Sequence, residues 1–127
     1  MTNYEFETLV TDFRSQQDQL IASKGHDYTI ANEDRLYNFK AVAELLGITP
    51  LQVLGAYWLK HILAIITYIN KGRLEADEGI EGRFLDSANY GLLGLALIKE
   101  REATNNTGSI NPLDIELTRI RESDRPF

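Results

Sequence analysis

Four short polar clusters interrupt the apolar stripes of a helix-patterned chain, and each carries side chains able to do chemistry. Lys24-Gly25-His26-Asp27-Tyr28 gathers a cation, an imidazole, a carboxylate and an aromatic ring within five residues. Arg35 and Asn38 stand three apart, so on a helix they share a face. Lys60-His61 falls in the middle of the most apolar stretch. An unpaired ammonium there is costly, so Lys60 is expected to meet a carboxylate, Asp86 first and Asp27 second, to snorkel to water, or to line a cavity. His61 reads as a satisfied structural histidine. In Asp86-Ser87-Ala88-Asn89-Tyr90, residues 86, 89 and 90 follow the i, i+3, i+4 pattern and point one way. They precede eight apolar residues, so a carboxylate and a carboxamide there need partners. Lys60 or Lys24 would serve.

These clusters must be positioned by helices. Thr2 with Glu5 three residues later forms a capping box that opens a first helix over about 3–23. Phe6, Leu9, Val10, Phe13, Leu20 and Ile21 follow at helical spacing, interrupted by Gln17. Gly25 reads as the stop, with 26–33 as a loop. A second helix is predicted over about 34–46, apolar at Leu36, Phe39, Val42, Ala43 and Leu46 and ended by Gly47. Thr49-Pro50 is a cap followed by proline at the first helical position. The third helix, about 50–70, is apolar nearly all round and therefore expected at the centre, with Lys71-Gly72 closing it. Residues 73–82 read as a loop and about 81–103 as a fourth helix. Gly91 and Gly94 within it predict close helix–helix contact rather than a phosphate loop, because no lysine follows at the required spacing. Asn111-Pro112 opens a short fifth helix with Leu113, Leu117 and Ile120. The expected fold is all-α: a compact four-helix bundle over 1–103, then a polar tail over 104–127 carrying a short C-terminal helix.

Composition narrows the chemistry. The 127 residues carry a net charge of −6, which argues against general nucleic-acid binding. With no cysteine and two histidines, a disulfide scaffold, a thiolate zinc site and a cysteine nucleophile are excluded. The strongly apolar runs 62–66 and 91–98 are shorter than the roughly 20 residues that span a bilayer. With no signal-peptide pattern at the start, the expectation is a cytoplasmic protein without a membrane partner. The third and fourth helices are apolar on more faces than one small bundle covers. A homo-oligomer is therefore expected, with the tail docking on a neighbouring subunit.

Lys24-x-x-Asp27-Tyr28, Asn38-Phe39, Lys60 and Asp86-x-x-Asn89-Tyr90 together resemble the small helical phage and bacterial proteins of the nucleotide-modification-associated type-1 domain. The likeness spans about 24–98. It implies a role in nucleotide metabolism or sensing in a phage or prophage, in the bacterial host cytoplasm, with the polar set lining one pocket. A more distant similarity is to the all-α nucleotide pyrophosphohydrolases, whose paired acids on successive helices hold magnesium. Here Glu75-x-x-Glu78 falls in a loop and Asp86 has Asn89, not an acid, at i+3, so that cage is incomplete.

The reading that follows is a binding protein for a nucleotide or nucleotide-derived small molecule, with counter-defence by sequestration of a nucleotide signal as one use. Lys24, Asp27, Tyr28, Asn38, Lys60, Asp86, Asn89 and Tyr90 are expected to converge. The lysines would meet phosphate oxygens and the two aspartates would orient them or accept from ribose and base. Tyr28 or Tyr90 would stack on the base, and the asparagines would read its polar edge. Two alternatives compete: a Mg-dependent nucleotide hydrolase using Asp27, Asp86 and Glu81, and a structural or interaction protein without a ligand.

Overall fold

The computed structural model describes residues 1–29, 33–74 and 79–106, with 26–29 described by backbone alone. Four helices and no strands occur among them: α1 Asn3–Thr29, α2 Tyr37–Leu46, α3 Pro50–Lys71 and α4 Ile80–Asn106. The all-α expectation holds. The fifth helix foreseen near 112–122 lies outside the described residues. The chain divides into two compact units, 1–95 and 96–127, and everything below concerns the first.

The helix boundaries follow from local chemistry. Thr2 N–H donates to Glu5 Oε2 at 2.6 Å and Glu5 N–H to Thr2 Oγ1 at 3.2 Å, completing the first capping box. The Thr2 backbone N–H, then the Thr2 hydroxyl, hold the Glu5 carboxyl below the usual carboxylate range. Thr49 caps α3 in the same way: Gln52 N–H donates to its Oγ1 and its own N–H donates to Gln52 Oε1. Gly47 and Gly72 end α2 and α3 at φ of 68° and 74°, a left-handed conformation that glycine adopts without a Cβ penalty.

Gly25 does not end α1, which continues to Thr29. Its backbone conformation needs no glycine, but its surroundings do. A Cβ at this position would fall on the Arg35 guanidinium, whose Nη2 donates to Ile21 O at 2.6 Å. The glycine is a seat for Arg35, a role visible only once the α1–α2 turn has brought residue 35 back.

That turn is built by Asp34. Its Oδ1 accepts from Leu36 N–H at 3.0 Å and its Oδ2 from Lys40 Nζ at 2.6 Å. The Lys40 bond, then the Leu36 bond, hold the Asp34 carboxyl below its ordinary range. A depressed carboxylate stabilises the fold at pH values above its unfolded pKa. That contribution is lost as pH falls through the folded value, so acidification below about pH 4 should loosen the turn. Both side chains are partly exposed, so Asp34→Ala is expected to cost about 1 kcal/mol in urea titrations at pH 7. The difference from the native chain should shrink at pH 3.

Leu36, Phe39 and Ala43 from the second segment are buried, as are Val53 and Leu54 of α3, and α2 packs on α3. Phe39 and Tyr57 set their rings 6.2 Å apart at 46°, within the range of favourable tilted aromatic pairs. Helix α4 meets α3 through Trp58 Nε1, which donates to Ser87 Oγ at 2.7 Å. Buried Gly94 completes the contact: the Leu54 side chain lies 3.6 Å from the place of its missing Cβ. Gly94 thus serves the close approach foreseen for it, whereas Gly91 faces open space.

Helix α3 is not enclosed. Residues 53 and 54 are buried, but Leu59, Leu63, Ile66 and Ile69 are exposed. By length and composition α3 is also apolar enough to cross a membrane, although neither apolar run within the sequence reaches that length alone. Leu54→Ala, which empties the α3–α4 contact, is expected to lower stability by roughly 2–5 kcal/mol in chemical denaturation.

Candidate functional site

Residues from all four helices surround a cavity of about 440 Å³, within the size range of small-ligand pockets. Helix α1 supplies Leu20, Ile21 and Lys24. Arg35 and the α2 residues Asn38 and Phe39 form a second side, Tyr57 of α3 a third, and Asp86, Asn89 and Tyr90 of α4 the fourth. The apolar walls come from the helix stripes. The polar groups come from the clusters that interrupt those stripes.

At one side, Lys24 Nζ donates to Asp86 Oδ1 at 2.8 Å. Asp86 is largely buried and Lys24 only partly so. Asp86 Oδ2 lies 3.7 Å from His61 Nδ1. The same nitrogen is 3.2 Å from Arg83 Nη1. A guanidinium can only donate, so Nδ1 accepts and the imidazole proton sits on Nε2. The His61 ring rests against Tyr90 at 5.3 Å. A charged chain, Lys24–Asp86 with His61 and Arg83 behind it, thereby fixes the wall that also holds Tyr90.

Asn89 lies one helical turn beyond Asp86. It is 7% exposed, lines the cavity, and its Oδ1 has no hydrogen-bond partner. A buried carboxamide oxygen without a donor costs about 1–3 kcal/mol.

Five of the eight residues expected to converge do so: Lys24, Asn38, Asp86, Asn89 and Tyr90 all line this cavity. The side chains of Asp27 and Tyr28 lie outside the described residues. Lys60 is a correction. It is exposed on α3, and Asp86 takes Lys24 as its partner instead. The reason is rotation about the helix axis: His61 turns inward towards Asp86, which carries the preceding residue to the outside. Four further lining or supporting residues were not assigned to the site from sequence: Arg35, Phe39, Tyr57 and Arg83. Arg35 carried a signal, since it shares a helix face with Asn38. Arg83 carried one too, three residues before Asp86.

The metal expectation has less support. Among the described residues no group of three His, Asp or Glu side chains could hold a metal ion. Asp86 is engaged by Lys24, and Glu81 is exposed at the start of α4.

Gly25→Ala tests the Arg35 seat. Alanine favours the helix by about 1 kcal/mol, yet the new methyl must displace the guanidinium. Thermal melts are expected to move little, while any property that depends on Arg35 at the cavity should change. A large loss of stability would mean that Arg35 cannot move aside.

No protein-family model, no curated protein and no solved structure matches the chain.

Proposed function

We propose that the first unit binds a nucleotide or a nucleotide-derived small molecule in the cavity between its helices. The observation that carries this reading is Asn89: a residue that lines the cavity and whose buried carboxamide oxygen has no hydrogen-bond donor. A ligand bringing an N–H edge satisfies it, and nucleobases present paired donors and acceptors to which an asparagine amide bonds in two-point fashion.

The surroundings suit the rest of such a ligand. Tyr57, Phe39 and Tyr90 offer aromatic faces to a base. Lys24 spends one of its three ammonium protons on Asp86, and Arg35 binds Ile21 O through one of its nitrogens. Both keep donors for phosphate oxygens. The charge is local, so the net charge of −6 does not oppose anion binding at this point. Binding without turnover is what sequestration of a nucleotide signal requires.

Calorimetry with nucleoside monophosphates, diphosphates and cyclic nucleotides, each with and without Mg²⁺, tests this directly. Binding that weakens with salt is expected. Lys24→Met should reduce affinity by about 10- to 100-fold, the worth of one charge-assisted phosphate bond. Product formation in the Mg²⁺ arm would favour the hydrolase instead. Absence of heat with every nucleotide class would sink the proposal.

A further inference from the structure

Helix α3 has an inward and an outward face. Its inward face holds Leu54, Trp58 and His61, which meet Gly94, Ser87 and Asp86 of α4. Its outward face holds Gln52, Ala56, Leu59, Leu63, Ile66 and Asn70, and all six are exposed. The intervals between them are four, three, four, three and four residues. That is the spacing of a coiled-coil seam, with Ala56, Leu63 and Asn70 in one core position and Gln52, Leu59 and Ile66 in the other. The middle of the seam is aliphatic and both ends are amides.

We propose that this seam is the interface with a second copy of the chain, α3 packing along α3. Three observations select that occupant. The first is area. Leu59, Leu63 and Ile66 are 52%, 54% and 45% exposed, and exposed Ile69 flanks them. Together they present about 400 Å² of aliphatic surface, roughly half of what one partner contributes to a stable interface, before the rest of the seam is counted.

The second is charge. The chain carries −6 overall, but residues 50–71 contain no acid and two lysines. Two acidic subunits that meet through α3 therefore meet on a segment that carries none of their carboxylates. Lys60 sits beside the seam, where its stem covers apolar surface and its ammonium reaches water. That explains a lysine in the middle of an apolar helix.

The third is form. Like a lipid-facing helix α3 is apolar nearly all round, but its exposed aliphatic face ends in the amides Gln52 and Asn70. A self-pairing helix needs only that, and an asparagine in a core position is a known device for fixing register.

The test uses the full chain by light scattering on a sizing column, at tens of micromolar. A particle of twice the 14.4 kDa chain mass is expected. Leu63→Glu and Leu59→Glu should each give a monomer with unchanged far-ultraviolet dichroism, weakening association at least a hundredfold by placing a charge in the seam. Leu45→Glu is the control: Leu45 on α2 is 85% exposed and off the seam, so this variant should remain a dimer. A monomeric native chain overturns the proposal. So does a dimer that survives both seam variants, or one that Leu45→Glu disrupts equally. Because the native mass is read without any substitution, a variant that fails to fold leaves the proposal exposed to refutation. Flotation of the native chain with phosphatidylcholine vesicles is the last arm; recovery in the floating fraction overturns the proposal in favour of a lipid surface.

Discussion

Asp86→Ala is expected to be among the most damaging single changes at the site, lowering stability by about 1–3 kcal/mol. Asp86 is largely buried, binds Lys24 at 2.8 Å and stands 3.7 Å from His61. Removing one partner of a fully buried pair costs ~3–5 kcal/mol because the other charge is stranded. Lys24 is only partly buried, so water takes over some of its solvation and the cost falls below that range. Lys24→Met should be milder, since the methionine leaves a side chain of similar length in place and the cavity beside Asp86 admits water to its carboxylate. A double-mutant cycle in urea denaturation should return a coupling of roughly 0.5–2 kcal/mol between positions 24 and 86. A coupling near zero would mean that the pair does not persist in solution. Asp86→Asn separates charge from shape: it keeps the side-chain outline and should recover part of the stability but not the electrostatic coupling.

This wall of the site was legible in the sequence because of contrast. Asp86, Asn89 and Tyr90 are polar or amphipathic groups set just ahead of eight apolar residues, and buried polar groups must find partners. Lys24 stood out against its own helix stripe in the same way. Which lysine Asp86 would choose was not legible. The sequence of α3 is apolar nearly all round, and that pattern reads as a helix enclosed on all sides. An exposed self-matching seam produces the same composition. Enclosure would have obliged Lys60 to find an acid; exposure frees it from that need. Gly25 was obscured for a related reason. Glycine followed by polar residues reads as a stop, and only the return of Arg35 through the Asp34 turn shows that the missing Cβ makes room for a guanidinium. Caps and left-handed stops were legible at Thr2, Thr49, Gly47 and Gly72 because their chemistry is complete within a few residues. Gly25 and Lys60 depend on parts of the chain far away in sequence.

Asn89→Leu separates a structural from a functional use of the same residue, and its two effects should run in opposite directions. Leucine nearly matches asparagine in outline and carries no polar atom. If the Oδ1 without a donor is a standing cost in the free protein, its removal should raise stability by about 1–2 kcal/mol, or several degrees in a thermal melt. The same change deletes the group proposed to read the ligand's polar edge. Nucleotide affinity should therefore fall at least tenfold, a difference of ~1.4 kcal/mol or more. Residues kept for packing do not behave in this way, because replacing them harms stability first. A fall in melting temperature would show that the carboxamide is satisfied internally and belongs to the scaffold. An unchanged affinity would place the ligand away from Asn89. Asn89→Asp supplies the complementary sign: a carboxylate buried at 7% exposure should destabilise the free protein and repel a phosphate-bearing ligand. The two substitutions should thus lower affinity alike while moving the melting temperature apart, a combination that a purely structural Asn89 does not produce.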